Sequence, residues 1–253
     1  MRQICDRTGQ SSYNNQGSKM TITKYRNAQD IEVTFESGFV VEHTQMHLFN
    51  SGSILDPYFK SYCGIGYMGM KTFYNKSQEY KRPLEVWHSM LKRCYSENFP
   101  LHVWYKDCEV DEKWHSFSNF YQWWKDNYYE LPKELGRLEL DKDIKFKSSR
   151  IYSPNTCLLI PQRINSYIKN RRDINKKFPI GITYNEKKQK YHVRTNVDGK
   201  DTHIGDYNSL DEAFCALKNI KENELKKLAE LYKLYIPKEV YDAIVNYTIE
   251  ITD

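Results

Sequence analysis

The residues Asp141, Lys142 and Asp143 set two carboxylates around one ammonium group at the end of the apolar-flanked run "LELDKDI", and Asn165 follows in "PQRIN". An Asp and an Asn carried on a strand, strand and helix unit suit one hard divalent cation, bound through oxygen, and that cation would sit against a phosphate. Downstream, Arg163, Lys169, Arg171, Arg172, Lys176 and Lys177 form a basic tract whose natural partner is the phosphate backbone, a contact that gives affinity without sequence choice. A third group lies in "KYHVRTNVDGKDTHIGDY". Strand alternation turns Tyr191, Val193 and Thr195 to one face and His192, Arg194 and Asn196 to the other, with Lys188, Lys190, Lys200 and His203 flanking them. An open sheet face bearing Arg, Asn and His reads base edges, at about 1–3 kcal/mol of discrimination per good bidentate contact.

The elements that must position these groups follow from periodicity. "MTITKY" and "DIEVTFESGFVVEH" alternate apolar and polar residues, which predicts short strands with a hairpin at Glu36 to Gly38. After Pro83 the period becomes helical: Leu84, Trp87, Met90, Leu91 and Cys94 share one face, and "SFSNFYQWWKDNYY" repeats the pattern with Ser116 as its cap. The aromatic stripe is assigned to packing, with Trp87, Trp114 and Trp124 in the core. In the last third, "GITYN" and the two runs around Asp198-Gly199 predict three strands, because Asp-Gly suits a two-residue hairpin turn. A long amphipathic helix follows, opened by a capping box of Ser209 and Glu212, then a short helix "PKEVYDAIVNY" and a strand-like "TIEI".

With 253 residues, 40% apolar and 15% aromatic, the chain has ample core material and length for several modules. The expected class is α+β: a flexible arm at 1–18, a small β-module at 19–80, a central ββα module with flanking helices and a basic tail at 81–177, and a three-stranded antiparallel sheet plus helix at 178–253. Between Lys142 and Asp201 stand fifteen Lys and Arg against five Asp and Glu, a net +10, so the rest of the chain carries −5 within a total of +5. A basic half joined to an acidic one is the electrostatic pattern of a nucleic-acid footprint. No run approaches the roughly 20 apolar residues that span a bilayer, and "MRQICDRTGQSSYNNQGSK" has no apolar signal core, so a cytoplasmic protein with no membrane partner is expected. Six scattered cysteines without CxxC or zinc-finger spacing read as buried, reduced thiols.

Two stretches carry family resemblances. "W..ML.RCY" from Trp87 to Tyr95, then Trp114, Phe117 and Phe120, then "LDKDI", "YSPNTC" and "P..IN" resemble the phage-type HNH-related endonuclease proteins over about residues 84–172. The resemblance implies that Asp141 and Asn165 hold a magnesium ion. It also puts Lys142 where that family has its general-base histidine, and Thr156 where it often has an asparagine. A lysine near its reference pKa of about 10.4 stays protonated and takes no proton from water, although it can hold a phosphate or stabilise developing charge. A base would then have to be His115 or a metal-bound hydroxide. The stretches "GITYN", "KYHVRTNV" and "HIGDYNSLDEAFCAL" are similar to the plant ethylene-response-factor (Apetala-two) DNA-binding domain, which also occurs fused to homing endonucleases and lays its sheet in the major groove. That family's arginines and tryptophans are mostly missing here, so its target sequence does not carry over. Three readings stay open: a metal-dependent nuclease acting on double-stranded DNA, a DNA-binding regulator that has lost cleavage, and a phage interaction protein that binds and inhibits a host defence protein.

Overall fold

The structure, a computed structural model, describes residues 5–70, 78–147, 149–168 and 177–251. In chain order these form β1 (Ser11–Tyr13), β2 (Lys19–Asn27), β3 (Asp30–Phe35), β4 (Val40–Thr44), α1 (Met46–Asn50), α2 (Gln78–Tyr95), β5 (Glu109–Val110), α3 (Phe117–Asn127) and β6 (Leu138–Asp141). There follow β7 (Ile151–Tyr152), β8 (Leu158–Pro161), α4 (Gln162–Ile168), β9 (Ile182–Asn185), β10 (Lys190–Val197), β11 (Lys200–Tyr207), α5 (Leu210–Tyr232) and α6 (Lys238–Val245). The class is α+β, built on small sheets. The chain divides into two compact units, one of residues 1–126 with 150–154 and the other of 127–149 with 155–253, a partition that runs through the module expected at 81–177.

In the first unit, β1 to β4 form an antiparallel sheet in sequence order. Alternation turns Met20, Ile22, Ile31, Val33 and Phe35 inward, where Met46 and Phe49 of α1 and Ile54 close the core. The hairpin turns where expected, with Gly38 at φ +84°. Residues 11–18, expected within a flexible arm, instead form β1 and a turn in which Asn14 and Ser18 are buried. Asn14 donates from Nδ2 to the Ile54 carbonyl at 3.0 Å, and Ser18 donates from Oγ to Asp56 at 2.8 Å. Composition missed this because its polar side chains find partners in the fold, not in water.

The helical stripes also meet in this unit. Val86, Trp87, Met90 and Leu91 of α2 are buried, as are Trp114 and, on α3, Phe117, Phe120 and Trp124. Trp87 donates from Nε1 to the Trp114 carbonyl at 2.7 Å, and its ring lies 5.4 Å from Phe117. α2 runs through Pro83 rather than starting after it. Gly66 leaves room for this packing, since a Cβ there would fall 2.5 Å from Leu91 and 2.9 Å from Trp87.

In the second unit, β6 pairs antiparallel with β8, and α4 starts directly after β8, which is a ββα arrangement. β7, inside that expected module, pairs in parallel with β5 and belongs to the first unit. The three-stranded sheet has the order β11, β10, β9. At its hairpin Asp198 and Gly199 both take positive φ, +50° and +83°, the backbone a two-residue primed turn requires. α5 serves two layers: Ala213 and Leu217 cover Ile182 and Val193 of the sheet, while Leu225, Ala229 and Tyr232 pack with Leu158, Ile160, Ile164 and Ile168. "TIEI" forms no strand; Ile249 is simply buried in this second core. No helix among the described residues is long and apolar enough to cross a membrane. No disulfide joins the six cysteines; Cys94, Cys108 and Cys157 are buried as expected, whereas Cys5, Cys63 and Cys215 are exposed.

Candidate functional sites

Asp141 ends β6 as a buried residue, and its carboxylate caps the turn that follows. Oδ1 accepts from the Asp143 N–H at 2.9 Å and from the Ile144 N–H at 2.8 Å. That is an Asx-type turn, in which an aspartate replaces backbone acceptors. Lys142 is buried too. Its Nζ donates to Asp143 at 2.7 Å and to the Ser149 carbonyl, so the ammonium ties together the two ends of this turn.

Asn165 lies fully buried on α4 and donates from Nδ2 to Glu139 Oε2 at 2.8 Å; its Oδ1 has no hydrogen-bond partner among the described residues. Glu139 is a residue the sequence reading missed. Two positions before Asp141, it shares that residue's face of β6, and alternation alone was the available signal. His115 belongs to the first unit, where its Nε2 donates to the Val110 carbonyl at 3.0 Å, which leaves Nδ1 as its basic nitrogen.

Toward the magnesium ion that the resemblance implies, Asp141 Oδ1 is engaged by two N–H groups, while Asn165 donates its NH2 to Glu139 and keeps Oδ1 without a partner among the described residues. Among the described residues, the His, Cys, Asp and Glu ligand atoms that gather in a group of three within 4.8 Å are those of His192, His203 and Asp206.

That second cluster lies on the uncovered face of the three-stranded sheet. His192 and Asp206 are direct cross-strand partners, and His192 Nδ1 stands 2.6 Å from Asp206 Oδ1. His203 Nε2 stands 3.8 Å from the same oxygen, and the two imidazoles stack with centroids 4.2 Å apart and planes 19° apart. The hydrogen bond from His192 holds the Asp206 carboxyl below the usual carboxylate range, with Lys188, 3.4 Å from Oδ2, adding to the effect.

Strict alternation would put His203 and Asp206, three residues apart, on opposite faces. The register slips between Val193 and Arg194: Gly205 pairs with Val193 and His203 with Arg194, so Ile204 is the extra residue of a β-bulge. Ile204 turns into the core, and His203 and Asp206 both face outward. Sequence reasoning placed both histidines on or beside this face but missed Asp206. The one cue was Gly205 inside a strand, a position that often marks a bulge.

The remaining sheet residues stand largely as alternation predicts. Val193 is buried while Lys190, Arg194 and Asn196 are exposed. Arg194 is bridged to Asp201 at 2.8 Å. Lys200 is exposed at the hairpin end, Arg163 is exposed on α4, and Lys177 lies over the Phe178 ring at 5.6 Å. Lys169, Arg171, Arg172 and Lys176 lie outside the described residues. Part of the +10 of residues 142–201 meets carboxylates from outside that window: Lys145 pairs with Glu239 at 2.6 Å and Lys147 with Glu250 at 3.5 Å.

Comparison with protein-family models, curated proteins and solved structures finds no match to this chain.

Proposed function

We propose that this chain binds double-stranded DNA through the uncovered face of the β9–β11 sheet and does not cleave it through the Asp141 constellation. The observation that carries the reading is a sheet whose one face is filled by α5 while the other presents Lys190, Arg194 and Asn196 to solvent, with Lys188 and Lys200 beside them. A two- or three-stranded ribbon fits a major groove, and its outward side chains then meet base edges. Arg194 is held by one aspartate at the surface, a pairing worth little in water and open to exchange for a phosphate or a guanine edge. The Apetala-two-like pattern supports the same use of the sheet. The HNH-like stretch contributes scaffold: its lysine and aspartate fasten a turn, and its asparagine is bonded to Glu139.

The test is fluorescence anisotropy with labelled duplexes of varied sequence at several salt concentrations, alongside incubation of genomic DNA with magnesium or manganese. Expected are salt-dependent binding, no cleavage, and a loss of sequence preference in Arg194→Ala larger than its loss of non-specific affinity. Absence of binding at low salt removes the reading. Cleavage that Asp141→Ala abolishes restores the nuclease.

A second reading, an interaction protein, has its own observation. Leu101, Val103 and Trp104 of the first unit are 48%, 57% and 49% exposed, a run of apolar side chains of the kind found in protein contacts. DNA affinity unaffected by every sheet substitution would favour it.

A further inference from the structure

We propose that His192, His203 and Asp206 form a binding site for a divalent transition metal of the zinc class, with at least one coordination position left for water or an anionic oxygen. This goes beyond DNA binding and does not depend on it.

Two imidazole nitrogens and one carboxylate oxygen are a borderline ligand set, suited to Zn2+ and its neighbours rather than to magnesium, which takes oxygen. Three protein ligands plus an open place is the pattern of exchangeable zinc sites. Asp206 Oδ1 is the shared vertex, 2.6 Å from His192 Nδ1 and 3.8 Å from His203 Nε2. Ligand atoms about 2.0–2.1 Å from a tetrahedral centre stand about 3.3 Å apart, so the short contact would lengthen and the long one shorten by about half an ångström or slightly more. Side-chain rotation supplies that, because the three side chains are 32%, 43% and 24% exposed and not locked in a core.

The backbone supports the same conclusion. A bulge that leaves Ile204 unpaired disrupts the ladder, and its effect here is to bring His203 round to the face of Asp206. Lys188, 3.4 Å from Asp206 Oδ2, is the competing cation, and once a metal is bound it favours an anion at the open position.

The experiment uses the full chain after chelator treatment, without DNA. Zn2+ is titrated calorimetrically and Co2+ spectroscopically, while imidazole resonances are followed by NMR. Expected are one equivalent bound at micromolar affinity or tighter, displacement of the His192 and His203 ring signals, and visible cobalt bands of a low-coordinate site. At least a tenfold weaker affinity is expected in His203→Ala and in Asp206→Asn, and unchanged or tighter binding in Lys188→Met. Excess magnesium should not compete. Failure of wild type to bind zinc overturns the proposal. So does zinc binding that leaves both ring signals in place, which would assign the metal to Cys5, Cys63 or Cys215, the exposed thiols. The wild-type NMR readout decides even if a variant misfolds.

Discussion

The Lys142 ammonium, 8% exposed, bonds to a neighbouring carboxylate and to a carbonyl seven residues on. Replacing it by methionine leaves Asp143 and the Ser149 carbonyl without this donor, so a loss of about 1.5–3 kcal/mol is expected, the usual range for hydrogen bonds to a charged group. Urea denaturation followed by tryptophan fluorescence reads it as a lower midpoint at constant slope. Lys142→His should not create a nuclease, because the imidazole inherits a tether in a turn whose aspartate is already engaged. DNA nicking with magnesium by that variant would refute this. The sequence revealed the unusual lysine between two aspartates but not its partner: the Ser149 carbonyl is a backbone group, and backbone acceptors carry no signature in residue type. A second residue-scale outcome concerns Glu32, whose carboxyl is held below its ordinary 4.5, first by the bond from Lys24 at 2.7 Å and also by Thr23. Its folded pKa lies below its unfolded one, so its stabilisation is fully present above the unfolded value and is lost as pH falls from there through the folded value. Glu32→Gln should therefore cost stability at pH 7 and little at pH 3, measured as the difference in thermal midpoint from wild type at each pH.

At the scale of elements, the C-terminal hairpin and helix were the most legible parts, since each is specified by local chemistry. Gly199 sits at φ +83° with nothing within 4 Å of where a Cβ would be, so Gly199→Val is penalised by backbone strain alone. A loss of about 1–2 kcal/mol is expected in thermal unfolding. Ser209 accepts from the Glu212 N–H at 3.2 Å, as the expected capping pair requires, while the return bond to Glu212 comes from the Asn208 N–H at 3.2 Å, one residue before the N-cap. Ser209→Ala should cost about 1 kcal/mol. By contrast, the Ile204 bulge had only the cue of Gly205, because period-two reasoning assumes an unbroken ladder, and a single unpaired residue reverses every assignment beyond it. That one slip is why Asp206 was left out of the sheet's open face while His192 and Arg194 were placed correctly.

For the molecule as a whole, the charge window predicted a strong electrostatic footprint, and the structure spends part of that charge on its own carboxylates. With Lys188, Lys190 and Lys200 exposed around the sheet, DNA affinity should fall with salt at a slope of about −2 to −4 in log K against log salt, the range for three or four neutralised phosphates. A slope near −10 would show that many more basic residues reach the duplex. Pairing could not be read from composition, since Glu239 and Glu250 are roughly a hundred positions from the lysines they meet. The chain passes into its second unit at residue 127, returns for residues 150–154, and leaves again. Those five residues supply β7, the parallel partner of β5, and Tyr152, over which Arg93 lies at 5.4 Å. During vectorial synthesis on a ribosome the first unit is thus kept waiting: β5 has no partner until the polypeptide has emerged beyond Pro154, by which time β6 and its following turn are already out. A nascent chain stalled before residue 150 would expose an unclosed strand edge to chaperones and proteases, and one stalled after Pro154 has cleared the exit tunnel would not.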